Sequence, residues 1–213
     1  MKKLSLKDVQ IKIYKTGAKV PTDIARGIEE WEQFLREHPP KDFKDKKVHG
    51  ASLYQLYDDC RERLEVIGLY GSGDGYEVVC IQEGELLQAI AAVEPTKDSR
   101  FLYLHDLTAA PWTVASSVVE DSRARYHAGR TLMKAMVVLS LLRGCGGQLQ
   151  LSSITGSKGF YTKLGFAGHG KLDLSVAKAK ELFKKGETAK KLIIDNKEAK
   201  LTEAVATFFG SLR

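Results

Sequence analysis

The sequence predicts an α/β domain with one central sheet flanked by helices. Three observations carry this. Val9, Ile11 and Ile13 alternate with Gln10, Lys12 and Tyr14, the period-two pattern of a strand with one buried face. Residues 131–143 are apolar almost all round (Leu132, Met133, Met136, Val137, Leu139 and others), which describes a helix buried against a sheet. Across the chain the order reads strand, helix, helix, strand, strand, strand, helix, strand, helix.

Each element has its local reasons. Gly17 and Pro21 end the first strand, and Thr22 or Asp23 caps the helix that follows. Ile24, Ile28, Trp31 and Leu35 share one face of that helix, Glu29, Glu30, Glu32 and Arg36 the other. Gly27 weakens it locally and Pro39-Pro40 stops it. After a lysine-rich connection over 41–50, Ser52 opens a second helix with Leu53, Leu56, Cys60 and Leu64 on its apolar side. Tyr54 and Tyr57 lie on neighbouring faces, as packing aromatics or as cleft lining. The glycine-rich run 71–75 lacks the flanking strand and Lys-Ser ending of a phosphate loop and reads as a turn. Strands over 76–82 and 85–93 flank a Glu83-Gly84 hairpin turn, and Pro95 closes the second. A further strand covers 100–108.

Residues 111–128 hold Trp112 and a polar Ser/Glu/Asp cluster, and read as a long loop with a short helix at 116–121. The long apolar helix ends at Gly144, with Arg143 at the negative end of its dipole. A strand over 148–154 leads to a short helix that begins at Ser157 and stops at Gly165. Beyond Leu174, Ser175 caps a lysine-rich helix over 176–185. A short strand at 192–194 and a terminal amphipathic helix at 201–212 follow.

The chain has 213 residues and a formal net charge of +6. That length suits one domain with an appendage. The positive charge is compatible with nucleic acid and equally with a small ligand carrying several phosphates. Cys60, Cys80 and Cys145 are odd in number and widely spaced, which argues against a disulfide framework or a zinc site. They read as reduced, buried thiols of a cytoplasmic protein. Charges punctuate residues 4–15, so no signal-peptide core forms, and the apolar run 135–142 is too short to span a bilayer. A soluble protein is expected.

Three segments then stand out. They are Tyr103-Leu104-His105-Asp106-Leu107-Thr108-Ala109-Ala110-Pro111, Gly129-Arg130-Thr131-Leu132-Met133, and Phe160-Tyr161-Thr162-Lys163-Leu164-Gly165-Phe166. Together they resemble the GNAT superfamily of N-acetyltransferases, which move an acetyl group from acetyl-CoA to an amine. The resemblance covers about residues 9–174, with its sharp motifs in 101–166. It implies an α/β fold with a mixed, V-split central sheet flanked by helices. Residues 1–174 would form the acetyl-CoA-binding domain, and 175–213 a C-terminal helical extension packed on it or across a homodimer.

The resemblance also implies a site. A helix N-terminus binds anions through its free N–H groups and its dipole. The family's loop reads Gln/Arg-x-x-Gly-x-Gly/Ala at that place. Here Ala124 stands in the first position, His127 in that of the first glycine, and Gly129 keeps the second. The cofactor contacts implied are Arg125, His127, Ala128, Gly129, Arg130 and Thr131 around the pyrophosphate. The backbones of Leu107, Thr108 and Ala109 would meet the pantetheine and the acetyl carbonyl. Ile154 stands where many members carry an asparagine; either Ser153 or Thr155 substitutes for it, or the contact is absent. Tyr161 matches the tyrosine that protonates the leaving thiolate. The attacking amine must lose a proton, and His105 is either its base or a strand histidine bonded to a neighbour. Asp106, on the opposite face by strand alternation, or Glu94, is the reserve base. No metal is called for. The acceptor is a small amine, a protein amine or an aminoacyl-tRNA, the last being the nucleic-acid partner the charge allows. The alternative is a non-catalytic acyl-CoA-binding regulatory or scaffolding protein of the same fold.

Overall fold

The computed structural model describes residues 2–15, 20–43, 47–48, 51–52, 60, 62–63, 67, 75–98, 100–153, 157–183, 191–194, 197–198 and 207–208. In chain order its elements are β1 (Lys2–Lys3), β2 (Gln10–Lys15), α1 (Thr22–Glu37), β3 (Lys47–Val48), β4 (Ala51–Ser52), β5 (Glu77–Glu83), β6 (Leu86–Pro95) and β7 (Leu102–Ala109). Then come α2 (Pro111–Val114), β8 (Arg125–Tyr126), α3 (Ala128–Leu142), β9 (Leu149–Ser152), α4 (Lys158–Lys163), β10 (Lys171–Leu174), α5 (Val176–Glu181), β11 (Lys191–Ile194) and β12 (Lys197–Glu198). Eight strands form one mixed sheet in the order β10-β9-β7-β6-β5-β2-β11-β12. Pairs β7–β9 and β2–β11 are parallel and the other neighbours antiparallel.

Strand alternation divides the core into two layers. Val79 and Ile81 of β5 pack on the α3 side, with Ile11, Ile13, Leu102 and Leu104. Val78 and Cys80 pack on the α1 side, with Tyr14, Ile90 and Ala92. Nearly every α3 residue is buried, as its unbroken apolar sequence requires. Each large aliphatic side chain removed from water there contributes about 1.5–3 kcal/mol. Gly144 at φ +77 ends the helix as expected. The Arg143 side chain clamps Glu77 through Nε and Nη2, so this buried carboxylate is paired.

Several details differ from the sequence reading, and Ser52, expected to open a helix, lies in β4. The N-cap of α1 is Pro21, whose hydrocarbon ring can make no side-chain cap bond, and the Asp23 carboxylate of the first turn pairs with Lys12 of β2. Gly27 is more than a weak point in α1. A Cβ there would lie 2.6 Å from Cβ of Leu87, so only glycine lets α1 come down onto β6. Residues 111–128 are not a long loop with a helix at 116–121. The helix is α2, started by Pro111 at its first turn, and 115–118 are turns. Trp112 decides this: fully buried, it meets Trp31 edge-on at 6.2 Å and lies under the Arg123 guanidinium at 4.2 Å. Finally, β10 is an additional strand, and α5 ends at Glu181 instead of 185.

Ser175 caps α5, its hydroxyl accepting from the Lys178 N–H at 3.4 Å. Beyond it, β11 runs parallel to β2 with Lys191 opposite Gln10 and Ile194 opposite Ile13. Of the second predicted helix, Cys60, Glu62, Arg63 and Ile67 are described and helical. Leu53, Tyr54, Leu56, Tyr57 and Leu64, the run 71–74, and most of the terminal helix lie outside the described residues. Cys60, Cys80 and Cys145 are buried free thiols. Among the described residues no helix is long and apolar enough to cross a membrane.

Candidate active site at the split of the sheet

The centre of the site is a break in the pairing of β7. Its first residues pair with β9, Leu102 opposite Leu149, Tyr103 opposite Gln150 and Leu104 opposite Leu151, and the described ladder stops there. On its other side β7 pairs with β6, but Leu104 faces Val93 and Asp106 faces Ala92. His105 is therefore the extra residue of a β-bulge, which bends its strand and steepens the twist. The side-chain phase slips with it. Leu102 and Leu104 pack in the α3 core before the bulge, and Leu107 and Ala109 pack against it afterwards.

The backbone phase follows from one bond. The Ala110 N–H donates to the Gln88 carbonyl at 2.9 Å. By antiparallel alternation Thr108 also addresses β6, whereas the N–H and C=O of Leu107 and Ala109 face the split. This corrects the expectation for Thr108, whose backbone is engaged on β6. Its buried hydroxyl donates to Sγ of Cys60 at 3.1 Å. The Ala109 carbonyl accepts from Cys60 Sγ at 3.4 Å.

The second part of the site is the start of α3. Its N-cap, His127, takes φ 71 and ψ 15, the left-handed conformation of the glycine it replaces. It is the one described non-glycine residue at positive φ. Histidine visits this region more readily than most side chains. His127 makes no side-chain cap bond, so the N–H groups of Ala128, Gly129 and Arg130 have no carbonyl of their own helix to meet. The first helical bond runs from Thr131 N to His127 O at 2.8 Å.

Three of the residues expected around a pyrophosphate are engaged elsewhere. Arg125 donates from Nε to the Glu83 carboxylate and from Nη1 to the carbonyls of Ser122 and Ala124, at 2.6 and 3.0 Å. Thr131 is buried and donates its hydroxyl to the Leu4 carbonyl at 3.3 Å. The Ala128 methyl is buried. Among the described residues Arg130 has no ion pair, and it is the side-chain cation left at this helix start. Gly129 abuts α4: a Cβ there would stand 3.3 Å from the Phe160 ring. Phe160 is 38% exposed, whereas Leu164 is buried. Ser153 is half-buried just after β9, and Ile154 and Thr155 lie outside the described residues.

Tyr161 on α4 is 6% exposed, between Phe160 at 5.1 Å and Phe166 at 5.6 Å. Burial pushes its phenol up from 10.0, Arg63 pulls it down and Asp106 pushes it up again. At neutral pH it is a protonated donor. Asp106 is half-buried, and burial raises its carboxyl while Arg63 and His105 lower it. Arg63 Nη1 donates to Asp106 Oδ1 at 3.3 Å. The His105 ring sits edge-on to Tyr76 at 4.9 Å and Tyr103 at 4.8 Å, with Nε2 3.1 Å from a Glu94 carboxylate oxygen.

Asp106 was expected on the opposite face from His105. The bulge overturns this, because an inserted residue interrupts strict alternation. Asp106 lies opposite Ala92, which packs on the α1 side, and His105 reaches Glu94, two residues further along the same strand. Arg63 was missed by the sequence reading altogether. Among the described residues clefts also open elsewhere, one of about 660 Å³ between Lys2, Glu120 and Arg125 and one of about 500 Å³ beside Tyr76, Glu77 and Arg143. Neither is lined by Tyr161. No group of three His, Cys, Asp or Glu side chains among the described residues is placed to hold a metal.

The sheet is mixed, its described β7–β9 ladder is short, and helices flank it. No family model matches the chain, and no curated protein does. Among solved structures it is similar to a protein from Desulfovibrio desulfuricans assigned to the GNAT family of acetyltransferases. That likeness has a TM-score of 0.45 and 16% identity, and covers 78% of this chain and 99% of the other. It is also similar to Tetrahymena GCN5, with a TM-score of 0.39, 17% identity, and 68% and 89% of the two chains covered. For Ard1 from Thermoplasma volcanium the TM-score is 0.38 and the identity 11%, with 78% and 95% covered. At such scores and identities the likeness carries no functional argument by itself.

Proposed function

We propose that the protein is an acetyl-CoA-dependent N-acetyltransferase acting directly on a primary amine. The observation that carries this is the bulge at His105. Past it the described β7–β9 ladder does not continue, and the backbone groups of Leu107 and Ala109 point away from β6; Tyr161 and the uncapped start of α3 supply the other two parts of this reading. Each part has a use. The free N–H groups of Ala128, Gly129 and Arg130, with the Arg130 side chain, suit a pyrophosphate. Open strand backbone suits the amides of a pantetheine arm. An N–H aimed at a thioester carbonyl stabilises the oxyanion formed when an amine attacks it.

In this reading the amine nitrogen bonds to the carbonyl carbon, and the tetrahedral adduct collapses with loss of the CoA thiolate. Tyr161 gives the thiolate its proton. The proton shed by the amine passes to Asp106 or His105, the two bases that the bulge brings to one side of the sheet. The products are an acetylated amine and free CoA. The buried thiols of Cys60, Cys80 and Cys145 are not needed as nucleophiles.

A non-catalytic acyl-CoA-binding protein is the rival reading, favoured by the engagement of Arg125 with Glu83. The two separate in one experiment. Purified protein with acetyl-CoA is given polyamines, arylalkylamines, amino acids, lysine peptides or charged tRNA, and free thiol is followed. Acceptor-dependent release of CoA is expected. Binding of acetyl-CoA with no acceptor-dependent release would select the rival.

A further inference from the structure

The acceptor side of β7 carries an ion pair that is only partly used. Cys60 and Arg63 are three residues apart in a helical stretch, so they share a face. That face docks on β7 at two points. Cys60 meets Thr108 and the Ala109 carbonyl, and Arg63 meets Asp106. Thr108 and Asp106 are two apart on a strand and so point the same way. Cys60 thus fixes the position of Arg63. Among the described residues the Arg63 guanidinium makes one hydrogen bond, from Nη1 to Asp106 Oδ1, although its side chain is only 18% exposed. A guanidinium has five N–H donors in a fork matched to a carboxylate. Among the described residues the other Asp106 oxygen accepts no hydrogen bond. Arg63 draws the Tyr161 phenol down and Asp106 pushes it up, and Asp106 directly precedes Leu107 on β7.

We infer that Arg63 and Asp106 form a receptor for a short zwitterion, and that the acetyl acceptor is a free α-amino acid. Arg63 would hold the carboxylate and Asp106 the amino group, beside Tyr161. The class follows from the geometry. The two receptor groups are in contact, so the ligand charges they match must also be adjacent. A long diamine presents no anion to Arg63, and a peptide N-terminus has no carboxylate next to its amine. In the unliganded protein the two groups neutralise each other, which the zwitterion would replace charge for charge. This inference rests on the N-acetyltransferase reading above.

The test pairs each protein amino acid with its own α-amide as acceptor, with CoA release and product mass as readouts. At least one amino acid should exceed its amide about 10²-fold in kcat/KM, mainly through KM. Arg63→Gln should shrink that ratio by at least about tenfold. Acetylation of amides or simple amines in preference to every amino acid would overturn the inference. So would an Arg63→Gln enzyme that loses acid and amide acceptors by the same factor. Should that variant fail to fold, Arg63→Lys keeps the charge without the fork, and the wild-type ratio still decides. A parallel titration with acetyl-CoA separates the two levels. No binding, or binding with no amine acetylated, removes the enzymatic reading and this inference with it. Transfer to plain amines alone removes only this inference.

Discussion

The two halves of β7 share one strand and differ in almost everything else. Before the bulge, Tyr103 and Leu104 are held by β6 on one side and β9 on the other, with Leu104 fully in the α3 core. After it, among the described residues, Leu107 and Ala109 pair with β6 alone, and their outer backbone groups point away from that strand. One inserted residue separates a half paired on both sides from the half to which the proposed function assigns the substrate. The contrast teaches that a sheet can present unpaired backbone in mid-structure without exposing an edge, provided that a bulge bends one strand away. It also predicts where substitutions damage stability and where they damage function.

The largest effect is expected at the functional end. Gly129→Glu places a carboxylate beside the uncapped N-terminus of α3 and forces the Phe160 ring to move. Acetyl-CoA should raise the melting temperature of the wild-type protein by mass action, and this variant should show no rise. An unchanged rise would remove the α3 start from the site.

Tyr161→Phe comes next. It deletes one hydroxyl and keeps the ring between Phe160 and Phe166. Loss of a general acid costs about 10²–10⁴-fold in rate. The lower end is expected in kcat, because a CoA thiolate is already a fair leaving group. Steady-state kinetics with chemistry rate-limiting checks this, and a wild-type kcat would reduce Tyr161 to a packing role.

The structural half should fail differently. Leu104→Ala opens the α3 core and should cost about 2–5 kcal/mol in urea unfolding. Leu107 is only partly buried, so Leu107→Ala should cost clearly less while weakening acetyl-CoA binding more. If both variants lose stability equally and bind equally, the two halves are not distinct.

The smallest effect concerns acid. Burial raises the Glu83 carboxyl, but Lys2 and Arg125 outweigh it and hold the folded value below the ordinary 4.5. A depressed carboxylate contributes stability that is fully present above 4.5 and is lost as pH falls through the lower folded value. The Lys2 partner is exposed and the Arg125 bond is only part-buried, so a small effect, about 1 kcal/mol, is expected. Glu83→Gln should therefore flatten the pH dependence of unfolding below about 4.5 and nowhere above it. A wild-type slope in the variant would assign acid lability elsewhere.

Much of this was legible in the residues. Alternation in Val9, Ile11 and Ile13 and the all-round apolar α3 locate β2 and the buried helix, because burial on one face or all faces leaves a periodic trace. The bulge has a trace too: apolar residues at 102, 104, 107 and 109 keep a period of two and slip once, at His105. Strict alternation hid that slip and sent Asp106 to the wrong side. Trp112 amid polar neighbours read as loop, since no local pattern shows that Trp31 and Arg123 will bury it. The Arg63–Asp106 contact joins residues far apart in sequence, and side-chain type alone does not reveal such a pairing. The engagement of Arg125 by Glu83 is of the same kind.

Amide hydrogen exchange tests the division of β7 most directly. Wild-type protein is followed residue by residue with and without saturating acetyl-CoA. The N–H groups of Leu107, Ala109, Ala128, Gly129 and Arg130 should exchange quickly alone and become protected on binding. Those of Tyr103 and Leu104, already paired, should stay slow in both states. Acetyl-CoA binding that leaves Leu107 and Ala109 unprotected, or protects only residues far from the split, would contradict the account.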